Sequence, residues 1–549
     1  MTDPAPQIVS IEHALSLHRA GRHDQAEAAY RAVLAATPDH ADAWHFLAVL
    51  LQETGRRDEA SAAVAEAIAL NAFDPLYRLT DGTLALGQGR LEAAIASFRQ
   101  ALALKPDFAA AATNLGLALQ RAGKRDEAEA AQRQALAIEP GNTLARYNLG
   151  QLQHQGGHLA DAIATYDVVL QSDPRHRATH LNRALALRQS GRIDDAVRAY
   201  RVAIELAPKD VDGWLGLGLA QKDKGDLDGA IVSFRAAIAQ APDRAEAHLN
   251  LGLALLTRGR FAEAWPHYAR RWQAPPLLHH RRTFDVPEWD GGALGSRRLL
   301  IHAEQGLGDT IQFAQLLPKL GTDRAQLILE LPSLLVPLMQ PLAPYATLVA
   351  KGATLPPFDC HLPLMDLPQR LNITEATIPN LTGLLAAQPE RVAHWRARLS
   401  HLPGRRIALC WRGGDDNPEN ERRSIPPSLL APLFDRPDVS VISLQKNTPA
   451  PHPSVIVPAE PFDPKGAAFL DSAAILSSVD LAITVDTSLA HLAGALGCRT
   501  FTLLPFVADW RWLADRPDSL WYPTMRLIRQ KSAGDWASVV RTLVAELGA

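Results

Sequence analysis

Eight glycines recur at an interval of 34 residues over the first half of the chain. Their positions are Gly21, Gly55, Gly89, Gly123, Gly157, Gly191, Gly225 and Gly259. Five residues after each glycine comes an alanine, at Ala26, Ala60, Ala94, Ala128, Ala162, Ala196, Ala230 and Ala264. A fixed period of this length indicates a repeated helical hairpin. The first half of the chain is therefore predicted to be an interaction scaffold of stacked hairpins.

The seventh repeat shows most clearly what each unit contains. Its characteristic residues are Trp214, Leu217, Gly218, Gly225, Ala230, Phe234, Ala237 and Pro242. Glycine permits a tight turn between two helices, and proline stops the second helix. Alanine lets the two helix axes approach closely. This unit resembles the tetratricopeptide repeat, so we expect about eight repeats over residues 7–272 in an α-solenoid with a concave face.

Asparagine recurs at the sixth position of four repeats, at Asn114, Asn148, Asn182 and Asn250. One interpretation is a tolerated polar position on an exposed helix face. However, asparagine is a poor helix former, so its presence at the same position of four repeats by chance is improbable. The other interpretation is a ladder of carboxamides that binds the backbone of an extended peptide in the concave groove. Such a ladder resembles the one in the repeat domain of the protein O-linked N-acetylglucosamine transferases.

Composition limits the kind of protein further. A chain of 549 residues is too long for one hydrophobic core, and a net charge of −3 gives no general attraction to nucleic acid. Its three cysteines are far apart in sequence, so we expect them to form neither disulfides nor a metal site. This cysteine usage suits a reducing compartment. The first residues, MTDPAPQIVS, do not resemble a signal peptide, and no apolar run is long enough to span a membrane. We therefore expect a cytoplasmic location.

From residue 297 onward, short β-rich runs alternate with helical stretches. The predicted strands are RRLLIHA, AQLILEL, TLVA, RRIALCW, VSVISLQ, DLAITVD, CRTFTLLP and MRLIRQ. Alternation of this kind predicts parallel α/β sheets. We predict a junction over 273–296, a first Rossmann-like half over 297–402 and a second over 403–549. Ligands bind such sheets beyond the carboxyl ends of the strands.

Three stretches lie at those strand ends: EQGLGDTIQFAQLLP (304–318), WRGGDDNPENERRSIP (411–426) and VDTSLAHLAGALG (485–497). On local pattern alone, helix capping is the favoured interpretation of Asp309 in the first stretch, ahead of a chemical role. The arginines Arg422 and Arg423 in the second fit a diphosphate. In the third, Thr487 and His491 are four residues apart, so both can face one ligand.

These three stretches, in this order, resemble glycosyltransferase family 9, the heptosyltransferase-like enzymes. With the repeats included, the whole chain resembles bacterial proteins that fuse tetratricopeptide repeats to such a domain. The stretch LLPFVADWRWLADRPDSLWYPTMRLIRQ (503–530) is also typical of them. The resemblance implies a GT-B fold, in which the first half binds the acceptor and the second half binds the nucleotide sugar.

The resemblance also implies site residues. Asp309 would be the general base that takes the proton from the acceptor hydroxyl. Residues expected at the donor are Arg423, Gln445, Lys446, Asp486, Thr487, Ser488 and His491. Those expected in the loop near the acceptor are Gly306, Gly308, Thr310 and Gln312. The transfer would be inverting and would need neither a metal nor a cofactor.

Two functions therefore compete. The first is a glycosyltransferase whose repeats recruit a protein or large-glycan acceptor. The second is a non-catalytic repeat scaffold whose GT-B domain is vestigial or only senses a nucleotide. A lipopolysaccharide heptosyltransferase is less favoured, because such an enzyme needs no long peptide-binding repeat domain.

Overall fold

The fold is taken from a computed structural model of the full chain. The structure describes residues 10–275, 277–304, 306–321, 323, 326–414, 420–446, 448–458, 462–463 and 468–548. The predicted repeat start at residue 7 and residues 415–419 of the second stretch lie outside these ranges. The chain divides into two compact units, Met1–Gly216 and Leu217–Ala549. The domain boundaries predicted from sequence, at 272, 296 and 402, stay predictions.

The first unit is built from helical hairpins. Its helices are α1 (Ile11–Arg19), α2 (His23–Ala36), α3 (Ala41–Glu53), α4 (Arg57–Leu70), α5 (Pro75–Gly87), α6 (Leu91–Leu104), α7 (Ala109–Arg121), α8 (Arg125–Ile138), α9 (Thr143–Gln155), α10 (Leu159–Ser172), α11 (Arg177–Gln189), α12 (Ile193–Leu206) and the first residues of α13 (Val211–Lys224). Each odd-numbered helix from α1 to α11 packs on the helix that follows it.

The repeated residues play the parts that the sequence predicts. All eight ladder glycines have positive φ, between +71° and +86°, which is the left-handed conformation that a side chain disfavours. The eight ladder alanines are fully buried between helices. Where a repeat has an exit proline, its second helix ends two positions before that proline, as α2 does before Pro38. The helical tetratricopeptide repeats are thereby confirmed.

A second pair of positions explains how closely the two helices of a hairpin pack. A Cβ atom added to Gly82 on α5 would lie 2.5 Å from the Phe98 ring on α6. The same clash would occur between Gly150 and Tyr166. The aromatic ring therefore fills the space that the missing side chain leaves, so the pair packs without a void.

The second unit begins with the remaining repeat helices. These are the end of α13, then α14 (Leu227–Gln240), α15 (Ala245–Thr257) and α16 (Phe261–Tyr268). Helix α16 has only eight residues and contains Pro266, and it continues as a 3₁₀ segment over Ala269–Gln273. Sixteen repeat helices thus precede the junction in the part of the chain that the structure describes.

Two parallel sheets form the rest of this unit. The first has the order β3-β2-β1-β4 and the second the order β6-β5-β7-β8-β9. Their strands are β1 (Leu299–His302), β2 (Leu327–Leu331), β3 (Thr347–Ala350), β4 (Cys360–Pro363), β5 (Arg405–Cys410), β6 (Val439–Ser443), β7 (Leu481–Val485), β8 (Thr500–Leu504) and β9 (Met525–Arg529). The accompanying helices are α17 (Leu307–Phe313), α18 (Leu367–Arg370), α19 (Pro389–Leu399), α20 (Asn420–Arg423), α21 (Ala431–Phe434), α22 (Leu470–Leu476), α23 (Ser488–Ala495) and α24 (Trp536–Gly548).

All eight predicted strands are present, and the α/β architecture with parallel sheets is confirmed. The strand that the sequence did not predict is β4, whose four residues CHLP end in a proline. It pairs with β1 through the register Leu299↔Cys360. The segment contains no β-branched residue, so it lacks the strand signal that Ile301 gives β1 and Val349 gives β3, and only its pairing identifies it as a strand.

The junction packs firmly on the first sheet. The Trp289 backbone N–H donates to the carbonyl of His361 at 2.8 Å, next to the parallel bridge between Glu288 and His361. The Phe284 ring packs against His361, with ring centroids 4.7 Å apart. Phe284 and Trp289 thus both attach the junction to His361 on β4.

Candidate functional site

A cavity of about 680 Å³ lies where the strand ends of both sheets meet. The first sheet contributes the residues that follow β1, and the second contributes the residues that follow β5, β6, β7 and β8. Residues that line the cavity include Gly306, Gly308, Asp309, Cys410, Arg412, Gly413, Arg423, Gln445, Lys446, Asp486, Thr487, Ser488, His491, Asp509 and Arg511. The carboxyl ends of parallel strands are where ligands usually bind such sheets.

Asp309 lies at the third position of α17 and belongs to the cavity wall. Its Oδ2 accepts the backbone N–H of Gly306 at 3.2 Å, so the carboxylate also caps the start of its own helix. Its Oδ1 lies 2.6 Å from Nη2 of Arg511. Burial raises the pKa of Asp309, the Arg511 guanidinium opposes this rise, and the Asp509 carboxylate adds to it.

The sequence interpretation did not identify Asp509 and Arg511, which lie in the 503–530 stretch. Nη1 of Arg511 lies 2.7 Å from Oδ1 of Asp509, and the guanidinium packs over the Trp510 ring. The side chain of Arg511 is only 8% exposed, and its Nε has no hydrogen-bond partner among the described residues. One buried arginine therefore links two carboxylates at the cavity. The sequence signal that could have identified Arg511 is the DWRW motif, in which the arginine stands between two tryptophans.

The third stretch forms a capped helix start. Thr487 is the N-cap of α23, and its Oγ1 accepts the N–H of Leu489 at 3.3 Å. Asp486 precedes it, directly after β7. Burial and the nearby Asp509 carboxylate raise the pKa of Asp486 to about 6. Asp486, Thr487 and Ser488 thus bring a carboxylate and the start of α23 to the cavity.

His491 lies one turn into α23 and is almost fully buried. Its Nδ1 hydrogen-bonds with the Tyr522 hydroxyl at 3.2 Å, and its ring stacks on Trp512. Burial and, to a smaller extent, the Arg511 charge lower the pKa of His491 to about 3, so the ring is neutral at physiological pH. A Cβ atom at Gly308 would lie 2.8 Å from its Cδ2, so Gly308 is needed for this contact between α17 and α23.

The remaining donor-side candidates differ in how free they are to bind a ligand. Gln445 accepts the backbone N–H of Arg412 at 3.1 Å through Oε1. Lys446 lies 3.4 Å from the buried Asp463 carboxylate. Nε of Arg423 is buried with no hydrogen-bond partner among the described residues. Arg423 therefore keeps a donor nitrogen that a ligand could use.

Two predicted residues of the acceptor loop are not part of the cavity lining. The Thr310 hydroxyl donates to the carbonyl of Gly306 at 3.1 Å, within the first turn of α17. Gln312 is fully buried, and neither of its side-chain polar atoms has a partner among the described residues. Gly306 and Gly308 do line the cavity. An α-helix turns these neighbouring residues to different sides, so they cannot all face one ligand.

The four repeat asparagines have different environments. Asn148 is buried, and its Nδ2 has no partner among the described residues. Asn182 donates to the Tyr147 hydroxyl of the preceding repeat at 2.9 Å. Asn250 donates to the carbonyl of Glu246 on its own helix at 2.8 Å. Asn114 is half-buried. Two of the four amides therefore already use a donor inside the protein.

A buried charge network connects the last repeat to the loop that carries Asp309. Arg271, in the 3₁₀ segment after α16, is fully buried and lies 2.5 Å from Asp366 and 2.7 Å from Glu304. Glu304 begins the Gly-rich stretch. Burial raises its pKa to about 8 despite the neighbouring arginine. Nearby, the Trp265 indole donates to the carbonyl of Ile373 at 2.9 Å.

No described helix combines the length and the apolar character needed to cross a membrane. Models of the tetratricopeptide repeat match residues 17–80, 86–123, 114–177, 181–234 and 221–259. The residues that these models match lie within the helical hairpins α1–α16 of the structure.

The chain is similar to protein FlbA of Caulobacter vibrioides, at 30% identity over 311 residues that cover 51% of each chain. It thus spans about half the length of the curated relative it matches. Among solved structures, a tetratricopeptide repeat protein from Parabacteroides merdae has a TM-score of 0.36 at 16% identity, covering 45% of this chain and 97% of that one. The C-terminal part of a repeat protein from Cytophaga hutchinsonii has a TM-score of 0.38 at 18% identity, covering 44% of this chain and 99% of that one. By the family models the chain carries tetratricopeptide repeats, and in the structure an α/β region with two parallel sheets follows them.

Proposed function

We propose that the chain is a glycosyltransferase that moves a sugar from a nucleotide-sugar donor to an acceptor hydroxyl. The observation that carries this proposal is the meeting of Asp309 with the start of α23 at one cavity. A candidate base from the first sheet and an anion-binding helix start from the second sheet are the two parts that such a transfer needs. The volume of about 680 Å³ suits a ligand of nucleotide-sugar size.

The donor would lie against the second sheet. Its diphosphate would accept hydrogen bonds from the backbone N–H of Ser488 and from Arg423, whose Nε is otherwise unsatisfied. The next two N–H groups of α23 already bond to Thr487. Lys446 is a weaker candidate for that role because it already pairs with Asp463. The neutral His491 ring would offer a hydrogen bond to the sugar or the diphosphate without adding charge.

The reaction would be a single displacement. The acceptor oxygen would bond to the anomeric carbon while Asp309 takes its proton, and the bond from that carbon to the nucleoside diphosphate would break. One displacement inverts the anomeric configuration. The arginines of the cavity would stabilise the charge on the departing diphosphate.

A donor screen tests the proposal. The full-length protein would be incubated with a panel of nucleotide sugars while thermal unfolding and release of nucleoside diphosphate are followed. We expect one nucleotide class to raise the unfolding temperature and one sugar of that class to be hydrolysed slowly, with water as the acceptor. Failure of every nucleotide and nucleotide sugar to bind would exclude the proposal.

The Arg511–Asp309 ion pair favours a second candidate, a domain that binds a nucleotide without transferring a sugar. A carboxylate held 2.6 Å from a guanidinium is a weaker base than a free one. In that case the screen would give a thermal shift but no diphosphate release, with or without acceptor. Release that depends on Asp309 would exclude this candidate.

We further propose that the repeats recruit the acceptor, as a protein or a large glycan. The half-buried carboxamide of Asn114 supports this proposal best, since Asn148 is buried and the carboxamides of Asn182 and Asn250 already donate within the protein. An array of extended peptides would be probed with the full-length chain and with the variant in which all four asparagines are alanine. Binding should fall in that variant and persist in Asn71→Ala, a substitution at an exposed position outside the ladder. Equal binding by both variants would contradict a role for the ladder.

A further inference from the structure

The first two repeats bring together three side chains of metal-binding type. His18 lies in the last turn of α1, His23 is the first residue of α2, and Glu53 is the last residue of α3. One ligand atom from each lies within 4.8 Å of the other two. We propose that His18, His23 and Glu53 form a binding site for a zinc-type divalent cation, separate from the cavity described above.

The hydrogen bonds of His18 prepare it as a ligand. Its Nδ1 hydrogen-bonds with the Tyr30 hydroxyl at 3.1 Å, and its Nε2 lies 3.0 Å from Oε2 of Glu53. In the tautomer with the proton on Nδ1, the Nδ1–H donates a hydrogen bond to the Tyr30 oxygen, and Nε2 has a lone pair on the side of Glu53. A hydrogen bond from the other ring nitrogen is the usual support for a histidine that binds a metal.

His23 supplies the second observation. Its Nδ1 is shielded from solvent and has no hydrogen-bond partner among the described residues. An unsatisfied ring nitrogen beside a histidine and a carboxylate is costly, and a bound cation would satisfy it. The His18 and His23 rings are 6.1 Å apart and meet edge to face.

Comparison with other repeats separates this cluster from ordinary contacts between repeats. The same two repeat positions meet again at His154 and Gln189, which are 2.8 Å apart. An amide replaces the carboxylate there, and no further metal-binding group joins the pair among the described residues. The contact between His18 and Glu53 therefore belongs to the repeat, whereas the addition of His23 makes a three-ligand set.

The ligand chemistry selects the cation. Two imidazoles and one carboxylate match the donors that zinc prefers, and they leave at least one position for water. Because Glu53 comes from the second repeat and the histidines from the first, a bound ion would link two consecutive repeats. Binding to the folded state alone would then raise the unfolding temperature of the repeats.

The test is zinc titration of the full-length chain after it has been stripped with a chelator. We expect one tight site by calorimetry, and its affinity should fall at least tenfold in His23→Ala and in Glu53→Gln. The glutamine keeps a hydrogen bond to His18, so the loss would not come from misfolding, which circular dichroism would check. The matched control is His154→Ala, which should bind zinc as the unchanged chain does.

A second readout distinguishes this site from scattered binding to the 19 histidines of the chain. Zinc should raise the thermal unfolding temperature of the unchanged protein and of His154→Ala, and it should not do so in His23→Ala. Unchanged affinity in both His23→Ala and Glu53→Gln would overturn the proposal. An equal loss in the control would overturn it as well.

Discussion

Arg511 holds Asp309 and Asp509 together, with contacts of 2.6 Å and 2.7 Å to the two carboxylates. Asp309 follows β1 of one sheet, and Arg511 follows β8 of the other sheet. The ion pair therefore joins the two halves of the cavity at the residue proposed as its base. It also sets the charge of that base, because the guanidinium opposes the rise in pKa that burial causes.

The first prediction concerns the pH dependence set by this pair. Removing the guanidinium in Arg511→Ala should raise the pKa of Asp309, so the deprotonated base appears only at higher pH. The acid limb of the rate profile should move upward by about one unit or more. Arg511→Lys keeps a charge and should move it less. An unshifted profile in Arg511→Ala would show that Asp309 does not control the rate.

The second prediction concerns donor binding. His491→Ala should weaken nucleotide binding about tenfold or more, because it removes a neutral ring from the cavity wall beside the start of α23. Tyr522→Phe, which removes only the hydrogen bond to Nδ1, should have a smaller effect. Calorimetric titration with the donor found in the screen measures both variants. Equal dissociation constants for His491→Ala and the unchanged chain would count against the donor assignment.

The third prediction concerns the network after the last repeat. Arg271→Met would leave Glu304 and Asp366 buried without a cation, which should cost about 3–5 kcal/mol. The control Arg298→Met removes an exposed pair with Asp359 and should cost about 1 kcal/mol or less. Urea unfolding followed by tryptophan fluorescence compares the two. Similar costs would mean that the buried network does not stabilise the junction.

The fourth prediction concerns acid stability. Burial lowers the pKa of His302 to about 3, and both of its ring nitrogens lack partners among the described residues. Between that value and the ordinary value near 6.5, the unfolded chain binds a proton that the native chain does not. Stability therefore falls as the pH falls through this window, by about 2 kcal/mol at pH 5 for this residue.

A phenylalanine at this position would remove that sensitivity. His302→Phe keeps a ring against Phe284 and has nothing to protonate. Its thermal midpoint should fall less than that of the unchanged chain between pH 7 and pH 5. The exposed His401→Phe serves as the control and should follow the unchanged chain. Identical pH dependence in all three would show that His302 does not titrate on unfolding.

The repeats could be predicted from sequence in detail, because each carries its own turn glycine and buried alanine. The parallel strands could be predicted as well, since β1 and β7 are mostly apolar runs with β-branched residues. Strand β4 could not, because Cys360–Pro363 has no β-branched residue and ends in a proline. For helices and strands alike, prediction succeeded where the segment's own residues carry a signal for that element.

The site was only partly predictable for a different reason. Asp309, Asp486 and His491 follow strand ends, so topology alone brings them together. Arg511 lies about 200 residues after Asp309 in sequence, and no spacing rule connects them. The burial of Gln312 was also not predicted, because the helical turn that directs it inward depends on where α17 begins.

The most direct test of the proposed transfer is to measure both donor affinity and transfer rate in Asp309→Asn. The amide has nearly the shape of the carboxylate but cannot accept the acceptor proton. We expect the variant to bind the donor with an unchanged dissociation constant, while its transfer rate falls by about 10²–10⁴-fold. Retained turnover with normal donor binding would contradict the assignment of Asp309 as the base and, with it, the proposed mechanism.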